Sequence, residues 1–136
     1  MVVECLRAER HLAAVGVSAE VIDPVSLSPL DTDTIVESVR RTGRLLVVDT
    51  AWLSCGASAE IVTRVVERLQ REREVRVDRL GYAPVTCPPS PDLERLFYPD
   101  GARIASTAYR LVHERGPSWS PPPGDSPEIR EFRGPF

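Results

Sequence analysis

Apolar positions along this chain switch between a helical and a strand period. From Val2 to Val15 the spacing predicts a helix, with Val2, Cys5, Leu6, Leu12 and Ala13 on one face and Gly16 as its stop. Glu9 interrupts that face, so either it looks out to solvent or it pairs with an arginine of a partner. Ser18 to Asp23 holds Ala19, Val21 and Ile22 in a short run ended by Pro24, which predicts a buried strand. Thr32 to Thr42 predicts a second helix: Asp31 is a good N-cap, Ile35, Val36 and Val39 form its face, and Arg40, Arg41 and Gly43 close it. The unbroken run Leu45 to Val48 predicts a parallel strand covered on both faces. Ala57 to Arg73 carries Ile61, Val62, Val65, Val66 and Leu69 at amphipathic-helix spacing. Val75 to Leu80 alternates and predicts a half-exposed edge strand. After a proline-rich connection from Gly81 to Pro91, a turn or two of helix is predicted over Pro91 to Phe97 and a last helix over Ala102 to His113.

Helices alternating with strands in this order describe a parallel α/β sheet wound by right-handed crossovers. Three strands make a thin sheet, and the first helix precedes any strand. Past Gly116 the composition changes: Pro117, Pro121, Pro122, Pro123, Pro127 and Pro135 predict an extended tail. The expected organisation is a domain over residues 1–115 and a tail over 116–136.

Charge and composition narrow the functions. The net charge is -3, which argues against nucleic acid or an anionic membrane as the main partner. No apolar run reaches the length of a membrane span and the first ten residues are charged, so a soluble, cytoplasmic protein is expected. All 17 basic residues are arginine, which excludes lysine-dependent chemistry: Schiff bases, the P-loop, and the receiver-type phosphoacceptor reading of Asp49. Cys5, Cys55 and Cys87 are too widely spaced for a zinc site or a disulfide framework, and His11 and His113 have no companion histidine.

The run from Gly16, GVSAEVIDPVSLSPLDTDTIVESVRRTGRLLVVDTAW, then GASAEI, then PPSPDLERLFYPDGARIASTA from Pro88, resembles the transketolase C-terminal domain family. The likeness is greatest to the C-terminal domain of 2-oxo acid dehydrogenase (pyruvate dehydrogenase-like) beta subunits. It implies a three-layer α/β/α domain with a mainly parallel sheet that binds no cofactor itself. Thiamine diphosphate and its divalent metal are then held by other domains, on a partner chain or earlier in the same chain. Neither the GDG signature of the diphosphate domain nor the glutamate-bearing pyrimidine domain occurs in these 136 residues. The family also places a strand just before the first helix, in the middle of the sheet. Its absence predicts either a strand donated by a neighbouring polypeptide or a truncated or misassigned start.

The resemblance implies a noncatalytic C-terminal component of a split thiamine-diphosphate-dependent enzyme, transketolase-like or 2-oxo acid dehydrogenase-like. It would assemble subunits for transfer of an acyl or ketol unit to a carrier, such as an acyl-carrier or lipoyl domain. The alternative is a standalone interaction module with no catalytic partner. Candidate subunit-contact residues follow the LLVV run: Asp49, Thr50, Trp52, Gly56, Ser58 and Glu60. Gly56 to Ala59 open a helix, where small residues either receive an anion or permit close packing, and Cys55 is expected as a small buried filler. In the tail, Phe132 and Phe136 are candidate docking anchors.

Overall fold

Two parallel strands carry the fold in the computed structural model, which describes residues 1–113 and 116–122. β1 (Arg44–Val48) pairs with β2 (Arg76–Leu80), Arg44 opposite Arg76 and Val48 opposite Leu80. Successive side chains of a strand point to opposite faces, so each face gathers its own core. Leu46, Val48 and Leu80 meet α1 (Val2–Ala13) and α5 (Gly101–Val112) through Ala8, Leu12, Ile104 and Ala105. Leu45 and Val47 meet α2 (Thr32–Thr42) and α3 (Ala57–Leu69) through Ile35, Val36, Val39, Ile61, Val65 and Leu69. The result is the expected three-layer α/β/α arrangement, with α3 as the crossover and a short α4 (Pro91–Phe97) before α5.

Local chemistry sets the helix ends. Asp31 accepts the Thr34 amide at 3.1 Å and the Thr34 hydroxyl at 2.6 Å, opening α2. Gly43 closes α2 in the left-handed conformation, φ +70°, where a side chain is costly. α5 is capped twice, its Arg103 amide bonding Asp100 at 2.7 Å and its Gly101 amide bonding Glu4 of α1 at 2.7 Å.

Four expectations change. Ser18 to Asp23 is not a strand: it is irregular, and its main chain bonds to no other main chain among the described residues. Side chains hold it instead. Val17, just before it, packs in the first core and Ile22 in the second, while Glu20 accepts the Ser38 hydroxyl at 2.5 Å and Arg41 at 2.7 Å. An extended segment becomes a strand only beside a partner strand, and the sheet therefore has two strands rather than three. Second, β1 carries helices on both faces as expected, yet it is only half-buried from Leu45 to Val48. Third, α1 turns Ala8 and Leu12 inward, leaving Val2, Leu6 and Ala13 exposed along the face that carries Glu9. Small Ala8 and Ala105 let α1 and α5 approach closely, which a count of large apolar residues overlooks. Fourth, α3 stops at Leu69, where the amides of Glu72 and Arg73 both turn back to the Leu69 carbonyl. In the tail, Trp119 folds onto Tyr109 of α5 with ring centroids 5.0 Å apart, and Pro121 is buried.

The two edges of the sheet are finished differently. Arg76 donates its amide to the Gly43 carbonyl and Asp49 donates to that of Leu80, so the odd-numbered residues of β1 face β2. The main-chain groups of Arg44, Leu46 and Val48 therefore point the other way. The Thr42 hydroxyl satisfies Arg44, accepting its amide at 3.3 Å and donating to its carbonyl at 3.2 Å. Leu46 and Val48 have no such cover among the described residues. On the far edge, by contrast, Asp78 accepts the Arg79 amide at 2.8 Å and is itself held by Arg110 of α5 at 3.1 Å. A charged, self-bonded edge resists further strands, whereas an apolar one with free amides invites them.

Leu69 is fully buried, so Leu69→Ala should cost about 2–5 kcal/mol in urea unfolding, while Leu96→Ala, 71% exposed, should stay within about 0.5 kcal/mol. Three carboxyls are held below their usual range: Glu20 by the Ser38 hydroxyl, Asp31 by Thr34, and Glu72 by Arg40. Groups lowered in the folded state stabilise it fully above their unfolded value, about pH 4, and lose that contribution as pH falls through the lower folded values. The urea midpoint should therefore decline on acidification below about pH 4, and Asp31→Ala should flatten that decline.

Candidate functional site

The carboxyl ends of both strands meet in one ledge, the place where α/β sheets usually put their working residues. Asp49 directly follows β1. Its Oδ2 is shut off from solvent and has no hydrogen-bond partner among the described residues, an orphaned acceptor of a kind that carries a real desolvation cost. The loop then passes Thr50 and Trp52, both exposed, Trp52 by 55%. It returns through Cys55, which is exposed rather than a buried filler and has φ +58°. Gly56 is the N-cap of α3, and a Cβ there would run into the Trp52 carbonyl. That contact favours the close-packing reading of Gly56 to Ala59 over the anion reading.

Ser58 is fully buried within this chain, where its Oγ lies 3.5 Å from Nη1 of Arg79. The same Nη1 donates to the Leu53 carbonyl at 2.9 Å, so β2 reaches across to brace the loop. Glu60 is exposed one turn into α3 and pairs with Arg64 at 2.6 Å. The structure thus gathers Asp49, Thr50, Trp52, Gly56 and Ser58 into one loop and its helix start, with Glu60 just beyond. Phe132 and Phe136 lie outside the described residues.

Sequence reasoning missed the other half of the ledge. The segment after β2 docks on the loop: Gly81 approaches the Ala51 carbonyl too closely to carry a side chain, and the Tyr82 amide donates to that carbonyl at 2.9 Å. Tyr82 stacks on Phe97 at 4.6 Å, and Tyr98 meets both rings edge-on. Hydrogen bonding with Cys87 pushes the Tyr98 phenol above its ordinary range. Leu53 in the loop and Val85, Leu93, Leu96 and Tyr98 in the segment after β2 are further exposed apolar residues. The spacing of Leu93 and Leu96 in the helical turns expected over Pro91 to Phe97, next to Tyr98, was the available signal.

No three His, Cys, Asp or Glu side chains converge to hold a metal ion among the described residues. The two cavities lie away from the ledge, along β2 beside Arg110 and Leu111, and at the amino ends of the strands. The ledge itself offers one buried acid, an exposed indole and an apolar shelf. This set suits contact with another protein surface better than bond-making chemistry. Among the described residues no helix is long and apolar enough to cross a membrane.

Comparison with known proteins places residues 1–104 in a match to the family described as transketolase, C-terminal domain. The chain is 39% identical over 112 residues to the acetoin:2,6-dichlorophenolindophenol oxidoreductase subunit beta of Cupriavidus necator, covering 82% of this chain and 33% of that protein. It is 40% identical over 117 residues to the mitochondrial pyruvate dehydrogenase E1 component subunit beta of Pisum sativum, 86% of this chain and 33% of that protein. The Bacillus subtilis pyruvate dehydrogenase E1 component subunit beta matches at 38% over 112 residues, 82% of this chain and 34% of that protein. The chain thus spans about a third of the length of these curated relatives.

Gly81→Ala should push the Ala51 carbonyl away and loosen the ledge, costing about 1–3 kcal/mol in urea unfolding and changing Trp52 fluorescence. Unchanged stability and emission would mean that the close approach at Gly81 does not hold the loop.

Proposed function

Since this chain belongs to the transketolase C-terminal domain family, we propose that it is a noncatalytic, assembly-building component of a thiamine-diphosphate-dependent enzyme. The cofactor and its divalent metal sit on domains outside these 136 residues; they supply the carbanion chemistry when bound. The described residues of this chain provide no ligand cluster for that metal, and no catalytic step is assigned to them. The reaction is of the 2-oxo acid dehydrogenase or transketolase class, passing an acyl or ketol unit to a carrier such as a lipoyl or acyl-carrier domain. The names of the relatives, an oxidoreductase beta subunit and pyruvate dehydrogenase beta subunits, support the dehydrogenase class. The same proposal keeps the component in the cytoplasm, in line with the free thiols of Cys5, Cys55 and Cys87.

The observation that carries the reading is the open edge of β1. Leu46 and Val48 turn their amides and carbonyls away from β2, and residues 18–23 make no main-chain bonds among the described residues. The two flank β1 through both cores. A strand supplied from outside residues 1–136 would bond to both and complete the sheet. Buried main-chain groups without partners are costly, so that strand, rather than any side-chain contact, anchors the component to the rest of the enzyme. The ledge then forms the subunit contact. Asp49 Oδ2 takes a donor from the partner, and Trp52 seats in a partner pocket with Thr50 and Glu60 at the rim, while Gly56 and Ser58 hold the loop's shape from behind.

Reconstituting the chain with a polypeptide that carries the GDG and pyrimidine-domain segments, and assaying turnover of 2-oxo acids and ketose phosphates, tests the proposal. Turnover should require the chain. Trp52→Ala should weaken association at least tenfold, as loss of an interface anchor does, while leaving the melting temperature of the isolated chain unchanged. Equal turnover without the chain, or a soluble monomer that ignores such a polypeptide, would point to the standalone interaction module instead.

A further inference from the structure

The loop between residues 23 and 31 holds an apolar side chain in a conformation that suits it badly. Val25 has φ +57°, in the left-handed region, where a β-branched residue is an outlier. The Ser26 amide donates to the Pro24 carbonyl at 2.5 Å, which closes a three-residue turn with Val25 at its centre. With a positive φ at the centre, such turns are rare and strained. Val25 is also 91% exposed, the highest value among the exposed apolar residues described, so packing within this chain does not offset the strain. Leu27, two residues on, is 61% exposed.

The loop is nonetheless tied down. Ile22 before it and Leu30 after it both pack in the second core. Within it, Asp23 Oδ1 accepts the Val25 amide at 3.1 Å and the Ser26 hydroxyl accepts the Ser28 amide at 3.3 Å. Its place in the fold follows from α2, which packs on β1 through the second core and is closed by Gly43 immediately before Arg44 opens β1. The chain doubles back there, so the start of α2 lies toward the carboxyl end of β1. An α2 of 11 residues is about 16 Å long and a β1 of 5 residues about 17 Å, so the loop rises at the same end of the sheet as the ledge.

We propose that Val25 and Leu27 form an apolar finger that enters a pocket of apolar side chains on the polypeptide bearing the cofactor domains. The finger rests on the subunit reading and gives that interface a second anchor in addition to Trp52. A knob shaped before it docks loses little freedom on docking. Backbone strain persists where the surroundings enforce it, and it gathers at segments that bind; here Asp23, Ile22 and Leu30 enforce it, and contact with the partner is what it serves.

The full chain and its variants are titrated with that polypeptide, and each is melted alone. Val25→Gly removes the side chain and puts at φ +57° the residue that adopts it freely. It should raise the melting temperature of the chain alone by about 1–4 °C while weakening association at least tenfold. Leu27→Ser should weaken association similarly and leave the melting temperature unchanged, and Val25→Ile should bind as wild type does. If Trp52→Ala weakens association but Val25→Gly and Leu27→Ser bind like wild type, the finger is overturned and the subunit reading stands. A lower melting temperature for Val25→Gly would show that the side chain is held within this chain, and would overturn the finger as well. A wild-type chain that does not bind the polypeptide overturns both.

Discussion

Everything in this domain is arranged around a row of main-chain groups on one side of β1. Backbone amides and carbonyls must find partners when water is excluded, and side chains answer that demand at several places. Thr42 serves Arg44, Asp78 serves Arg79, Glu4 serves Gly101 and Asp31 serves Thr34. Leu46 and Val48 lie between two helical layers with apolar side chains on both faces and main-chain groups aimed at no strand. A true sheet edge in the same molecule, along β2, is charged and self-bonded. The contrast sets apart the outer side of β1, whose main-chain groups at Leu46 and Val48 find no partner among the described residues.

That incompleteness accounts for several local features together. Residues 18–23 are anchored by side chains, Glu20 on Ser38 and Arg41, with Val17 and Ile22 reaching into separate cores. β1 is half-buried despite its wholly apolar LLVV sequence. At the carboxyl end the loop from Asp49 to Gly56 is braced by Arg79, Gly81 and Tyr82, so Trp52 projects from a firm base. An interface residue on a rigid support loses less freedom on binding.

Much of this was legible in the sequence, for reasons that differ by element. α2 announced itself through Asp31, the Ile35–Val36–Val39 face and Gly43, since caps act locally and need no partner. β1 and β2 were legible because their apolar runs are bounded by charge and turns. The segment at 18–23 has the composition of a strand, but pairing is a tertiary property that no local pattern contains. On α1, Cys5 and Leu12 of the expected face do pack on the core, whereas Val2, Leu6 and Ala13 stay exposed and the small Ala8 takes the inner position that close helix packing favours. Asp49 and Trp52 were read from their position after a strand. The shelf of Leu93, Leu96 and Tyr98 was not, because its surroundings are rich in proline and its residues meet the loop only through the stacked rings.

The most direct measurement is amide hydrogen exchange at Leu46 and Val48, compared with Leu45 and Val47, in the chain alone and in complex with the polypeptide that bears the cofactor domains. The open-edge account predicts protection at Leu45 and Val47 in both states, and at Leu46 and Val48 only in the complex. Strong protection of Leu46 and Val48 in the chain alone would show an edge already closed and would contradict it.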